Sequence, residues 1–255
     1  ATRPAFLSVT LFGVLIGLAS ARMAGVTLAP GTAVVTLLFA LVAHAGINVL
    51  NDYYDALNGT DDANTERVFP FTGGSRFIQN GVLTRRETLA FGIALMAAVI
   101  AAGLWLTLVS APGLLFIGAA GVFIGWAYSA PPLKLNSRGW GEACVWAGFA
   151  LLAVGADFVQ RGAFATGPLV AVACYALLVT NILYINQFPD YRADLGAGKH
   201  HWVVRLGPAR ARRLYALFAA MGYLWVVVAV TRGGLVPAAV VARLAGTVVA
   251  PAAGV

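Results

Sequence analysis

Apolar residues run almost unbroken over roughly 14–65, 88–130, 143–188 and 214–255, and the breaks between them hold most of the charged side chains. Within the runs there is no two-residue alternation, so they do not read as strands of a membrane barrel. They are rich in Ala, Leu, Val and Gly, and backbone groups in hydrocarbon must pair within their own segment, which a helix achieves. About 20 apolar residues cross the ~30 Å hydrocarbon core. That length predicts helices near 5–23, 32–54, 88–109, 112–129, 140–160, 165–188, 209–231 and 235–253. The expected fold is therefore all-α, a single polytopic membrane bundle of eight helices around a central cavity. The first helix lacks a basic leader and a small-residue cleavage site, and is expected to be a retained span.

Composition supports the bilayer as solvent. Of 255 residues 60% are hydrophobic and 11% charged, whereas an ordinary soluble domain is about 25% charged. Cys144 and Cys174 fall in apolar stretches without CxxC or histidine spacing and read as small packing residues. The net charge of +7 does not point to a nucleic-acid partner, because the basic residues are not gathered in a soluble module with interleaved aromatics. Their placement along the chain is more informative. The N-terminus and the loops after the second, fourth and sixth predicted helices share one side and carry most of the 17 Lys and Arg, while the opposite loops hold Arg22, Arg161 and Arg232. By the positive-inside rule the crowded face is expected to be cytoplasmic, in a cell (inner) membrane, with the cavity opening there. Every acidic residue except Asp157 falls on that same face, although acids contribute little to orientation. Asp157 itself is expected to face the surface. Acids and bases gathered at one mouth of a bundle suit a metal together with an anionic, phosphorylated ligand.

Two segments carry this chemistry. The second predicted helix ends in Asn51-Asp52-Tyr53-Tyr54-Asp55, with Asp61 following shortly after, and His44, Asn48, Asp52 and Asp55 are spaced by four, four and three residues. On a helix that spacing is one polar stripe facing the bundle interior. Paired carboxylates repel, and a divalent cation between them relieves the repulsion. The sixth helix carries Asn181, Tyr184 and Asn186 and leads to Asp190 and Asp194. Set side by side, Ile47-Asn48-x-Leu50-x-Asp52-Tyr53 matches Ile185-Asn186-x-Phe188-x-Asp190-Tyr191. The match predicts an internal repeat, with pseudo-repeat halves of roughly 1–130 and 131–255 facing each other. Opposed aspartate pairs are expected to hold Mg²⁺ ions bridging a diphosphate, with carboxylates roughly 6–12 Å apart across the gap. Arg67, Arg76, Lys134 and Lys199 are candidate phosphate partners, and His44, Asn48, Asn181, Tyr184 and Asn186 candidate polar groups of the pocket. His44 alone reads as a hydrogen-bonded core histidine, and His200 and His201 as solvated.

At these residues the chain resembles the UbiA superfamily of intramembrane prenyltransferases. The segment Asn51 to Asp55, with Asp61, fits its first motif, NDxxD with a further Asp, and Asp190 and Asp194 fit its second, DxxxD. Thr72-Gly73-Gly74-Ser75-Arg76 and Tyr128-Ser129-Ala130-Pro131-Pro132-Leu133-Lys134 resemble the family's loops after the second and fourth helices. The longer gap before Asp61, and Gly196 to Gly207, resemble the branch acting on 1,4-dihydroxy-2-naphthoate in menaquinone synthesis. Members of the family are built of nine helices, against the eight read here.

The resemblance implies a prenyl diphosphate and a small aromatic acceptor as substrates, and Mg²⁺ held by Asp52, Asp55, Asp61, Asp190 and Asp194. It places Asn51 with the diphosphate-binding residues, and Tyr128 is positioned to offer its ring to an allylic cation. The same site on 4-hydroxybenzoate, homogentisate, a tetrapyrrole, or a glycerol or sugar phosphate is the alternative enzyme reading. An ion-coupled transporter is the alternative from another class, disfavoured because the acids lie at one membrane face and not near the midplane.

Overall fold

The computed structural model describes residues 2–68 and 71–232, and these form helices and connecting loops. The elements are α1 (Pro4–Met23), α2 (Pro30–Asn58), a short α3 (Thr60–Ala63), α4 (Arg85–Val109), α5 (Leu114–Ser129), a 3₁₀ turn (Leu135–Arg138), α6 (Gly141–Arg161), α7 (Gly167–Asn186), short α8 (Tyr191–Gly196) and α9 (Trp202–Leu206), and α10 (Pro208–Thr231). Six of the helices are long and apolar enough to cross a membrane, and α5 is a shorter apolar helix. The chain is thus an all-helical, multi-pass membrane protein. The eighth predicted helix, 235–253, lies outside the described residues.

Local sequence explains the helix ends that matter for function. α2 begins with Pro30 at its first turn and stops at Gly59, whose φ of 79° is left-handed and favours glycine. Its 29 residues make a rod of about 43 Å, longer than the ~30 Å hydrocarbon core. The surplus turns carry Asn51 to Asp55 to the polar boundary. α4 opens with a capping box in which the Thr84 hydroxyl accepts from the Glu87 amide and the Glu87 carboxylate accepts from the Thr84 amide.

α6 is the hub, packing against α1, α5 and α7, while α2 pairs with α4 and α10 with α7. Small residues allow the close approaches. A Cβ at Gly17 would meet Ala156 at 2.8 Å, and one at Gly92 would meet Leu50 at 2.7 Å, the small-residue packing that replaces a hydrophobic driving force in lipid. Asp157 corrects its expectation: it is buried, and both carboxylate oxygens accept from Arg161, at 2.6 and 2.7 Å. An ion one helical turn away makes its burial tolerable.

Candidate active site

The C-terminal ends of α2, α5 and α7 meet at one end of the bundle, and side chains tie their loops together. Asn64 after α3 donates to Asp190 Oδ1 at 2.6 Å, and the Gly73 amide donates to its other oxygen at 3.3 Å. The His200 amide donates to the Ser137 carbonyl at 2.6 Å. Lys199 Nζ lies 3.0 Å from both Asp55 Oδ1 and Asp194 Oδ1. One ammonium therefore bridges the two aspartate segments, and these two oxygens are within twice that distance of each other. The gap at this point is at or below the short end of the expected range, because Lys199 fills it.

Behind this junction a cavity of about 920 Å³ runs into the bundle. Arg3, Asn51, Asp55, Asp61, Tyr128, Asn186, Asp190, Asp194 and Lys199 line its polar mouth. Phe39, Ile47, Met96, Ile100, Val122 and Leu152 form part of its apolar walls, and Leu106, Leu114 and Val159 lie at its far end. His44 and Asn48 lie on its wall, but are also engaged elsewhere. His44 Nδ1 is 2.7 Å from the Thr10 hydroxyl, and Asn48 donates to the Thr2 carbonyl at 3.2 Å.

The carboxylates are unequal. Asp52 does not line the cavity; it is buried beneath the Arg3 guanidinium, which donates to it, and beside the Ser75 amide at 3.3 Å. Asp61 is buried against Gly74, where a Cβ would come within 3.0 Å of the Asp61 carboxyl carbon. Burial, reinforced by the charge of Asp55, pushes Asp61 up to about 7. Burial also raises Asp190, against the hydrogen bonds from Asn64 and Thr72. For Asp194 burial is outweighed by His201 and Lys199, and its carboxyl is held below the usual range. Lys199 is likewise lowered by burial but raised overall by Asp55 and Asp194.

Several expected residues stand elsewhere. Asn181 and Tyr184 do not line the cavity: the Asn181 amide donates to the Tyr215 carbonyl at 3.1 Å, and the Tyr184 hydroxyl to the Ala211 carbonyl at 3.0 Å, both on α10. Arg76 supports the site from behind, its guanidinium donating to the Asp61 carbonyl. The stem of Arg67 packs against Gly73. Lys134 is exposed and borders a separate pocket of about 140 Å³, shared with Asp55, Asn58 and Asn136. His201, expected in solvent, is buried with Nε2 3.0 Å from Asp194 Oδ2. Arg3 and Asn64 were not singled out by the sequence, and His201 was read as solvated, because each is brought to the site by a loop or by the segment before α1, whose course no periodicity encodes.

The residues fit Mg²⁺. The donors are carboxylate oxygens, and Asp61 Oδ2 is buried with no hydrogen-bond partner among the described residues. No group of three or more His, Cys, Asp or Glu among the described residues is set to hold one ion. Mg²⁺ is ordinarily held by one or two carboxylates together with substrate phosphates and water.

The UbiA prenyltransferase family model matches residues 9–253. The 1,4-dihydroxy-2-naphthoate octaprenyltransferase of Mycobacterium tuberculosis is 33% identical over 227 residues, covering 85% of this chain and 74% of the relative. That of Mycobacterium leprae is 32% identical over 200 residues, 78% of this chain and 66% of the relative. The chain thus spans about two thirds to three quarters of the length of these two relatives. The solved structure of a UbiA homolog from Archaeoglobus fulgidus, bound to DMAPP and Mg²⁺, shares the fold with a TM-score of 0.66 at 21% identity, over 88% of this chain and 74% of that one. With the family match running over nearly its whole length and the helical fold shared, the chain belongs to the UbiA prenyltransferase family.

Proposed function

We propose that the protein transfers a polyprenyl chain from its diphosphate to a 1,4-dihydroxy-2-naphthoate-like quinone precursor, with Mg²⁺ as cofactor. The observation that carries this reading is the joining of the two aspartate segments at the polar mouth of one long apolar cavity. The named relatives act on naphthoate acceptors, which supports the choice of acceptor.

Asp55, Asp61, Asp190 and Asp194 are the residues that would hold Mg²⁺, with Asp52 behind them, and the ion would supply charge neutralisation for the departing diphosphate. Asn51 and Lys199 bind and orient the phosphate oxygens. As the C–O bond breaks, its electron pair leaves with the diphosphate and an allylic cation remains. The apolar walls hold the tail and exclude the water that would quench the cation. Tyr128, at the mouth, offers it a π face. The acceptor ring carbon then attacks, and a carboxylated naphthoate loses CO₂ from that carbon.

We read the chain as one transmembrane domain of two pseudo-repeat halves, roughly 1–130 and 131–255, in an inner membrane with the site on the cytoplasmic side. The match between the two aspartate segments and the charge asymmetry support this. In sealed vesicles, cysteines at Asp62 and Arg192, both exposed, should be labelled from the same, cytoplasmic side; opposite sidedness removes the shared site. For the reaction, purified protein is supplied with labelled polyprenyl diphosphate and a panel of ring acceptors. Prenylated naphthoquinol is expected with Mg²⁺, and none in EDTA. Full turnover in EDTA rejects the metal role, and product from 4-hydroxybenzoate alone rejects the acceptor.

A further inference from the structure

Arg3 belongs to neither aspartate segment. An arginine beside a membrane helix ordinarily anchors the chain to the cytoplasmic surface, its guanidinium in water. Here the side chain is only 21% exposed and turns inward to the cavity mouth. Its Nη2 donates to Asn51 Oδ1 at 3.0 Å and to Asp52.

The backbone is bent to achieve this. Arg3 has φ 50° and ψ 65° immediately before Pro4, a left-handed conformation that a non-glycine residue adopts at a cost, and a proline disfavours helical conformations in the residue before it. Two contacts hold the arm in place: the Asn48 amide on the Thr2 carbonyl, and an edge-on contact of Phe6 with Phe71 at 6.3 Å between ring centroids. Backbone strain maintained by surrounding contacts concentrates at functional sites.

A guanidinium has five N–H donors, and Arg3 does not use them all. Its Nε is buried and has no hydrogen-bond partner among the described residues, although the residue lines the cavity. A buried, unpaired donor on a cation is costly unless a ligand completes it. The ligand that suits a planar guanidinium is a phosphate, which it can bind through two N–H groups at once. Asn51 and Asp52 hold Nη2 of the guanidinium, and Lys199 supplies a second cation from the other segment.

We propose that Arg3 is a diphosphate-binding residue, carried into the site by the segment before α1 and oriented by Asp52. The inference rests on the reading of the cavity as a prenyl diphosphate site. Inorganic pyrophosphate with Mg²⁺ is titrated calorimetrically into the purified full chain and into Arg3→Gln, Arg3→Lys, Asp52→Asn and the Arg3→Gln/Asp52→Asn double variant. KM is measured for prenyl diphosphate and acceptor separately, and each variant is checked for the wild-type circular dichroism and elution volume. Loss of charge-assisted hydrogen bonds should weaken pyrophosphate binding about 10–100-fold in Arg3→Gln. KM for the prenyl diphosphate should rise by a similar factor and that for the acceptor should stay unchanged. Arg3→Lys, which keeps the charge and the fold but not the planar donor, should recover part of the loss. The decisive comparison is on the Asp52→Asn background. A further loss there upholds direct binding, whereas no further loss reduces Arg3 to the counter-ion of Asp52 and overturns the proposal. Unchanged affinity in Arg3→Gln overturns it as well. If the wild-type chain itself fails to bind pyrophosphate, the reading of the cavity falls first, and Arg3 with it.

Discussion

The two aspartate segments share a sequence pattern, yet the molecule builds them differently. In the first, α2 continues as a regular helix through Asp52 and Asp55 to Asn58, so the carboxylates project from a rigid rod and Asp61 follows on α3. In the second, α7 ends at Asn186, and Asp190 stands at the start of the separate short helix α8, with Asp194 one turn into it. The second segment has no rod of its own and borrows rigidity from the first. Asn64 and the Gly73 amide hold Asp190, and Lys199 ties Asp194 to Asp55. A repeated motif therefore need not mean a repeated structure; what recurs is the delivery of carboxylates to one mouth, Asp55 from a long helix with Asp61 just after it, and Asp190 and Asp194 from a short helix leaning on the first segment.

If Asp55 and Asp194 are the working centre of this arrangement, they should be the least replaceable. Asp55→Asn and Asp194→Asn are each expected to lower kcat by about 10³-fold, the upper range for loss of one electrostatic group at a reacting centre, while circular dichroism stays at wild type. Asp190, two of whose oxygen contacts are to the first segment, is expected to lose at least tenfold less as Asp190→Asn, since an amide retains an acceptor for Asn64 or Gly73. Equal losses at Asp190 and Asp194 would erase the distinction between a holding and a reacting carboxylate.

Lys199 tests the bridge. Lys199→Met removes the cation shared by two buried carboxylates, and breaking a buried pair on one side costs about 3–5 kcal/mol. With about a tenth of the lysine side chain exposed, the lower figure of about 3 kcal/mol is expected, read as a lower unfolding midpoint in detergent. Adding Asp55→Asn should restore part of that stability, since it removes one of the stranded charges. A stable single variant would mean the two segments are held together by other contacts. A smaller effect is expected at His201, whose Nε2 orients Asp194. His201→Ala should weaken activity about tenfold, the low end for a residue that positions a ligand, with KM for the acceptor unchanged.

Much of the bundle was legible in advance because lipid imposes a simple rule: long apolar runs become helices, and charge marks their ends. Steps of four, four and three residues keep His44, Asn48, Asp52 and Asp55 near one side of a helix, and three of the four line the cavity, while Asp52 lies beneath Arg3. The same reasoning failed on α7 for a geometric reason. Asn181 and Asn186 are five positions apart, about 140° around the helix at 100° per residue, so Asn181 and Asn186 cannot share a face. Asn186 reaches the cavity while Asn181 and Tyr184 meet α10. Arg3 and His201 were illegible for another reason, since the loops that bring them in obey no period.

Tyr184 gives the gentlest test of that division. It is fully buried, packed with Val203, Ala211, Phe188 and Phe218, and its one polar atom donates to the Ala211 carbonyl at 3.0 Å. Tyr184→Phe keeps the ring and its edge-on contacts with Phe188 and Phe218 and removes only the hydroxyl. The Ala211 carbonyl keeps its place in the first turns of α10 and loses one donor, so the cost should be that of a single neutral hydrogen bond, about 1 kcal/mol, seen as a small fall in unfolding midpoint. Because the ring faces α10 and not the cavity, KM for both substrates should be unchanged. A rise in the acceptor's KM without loss of stability would put Tyr184 back against the substrate and show that both faces of α7 serve the pocket. Unchanged KM with the small loss of stability would leave Asn186 as the polar side chain that this part of the helix turns to the cavity, beside Ile182 and Leu183.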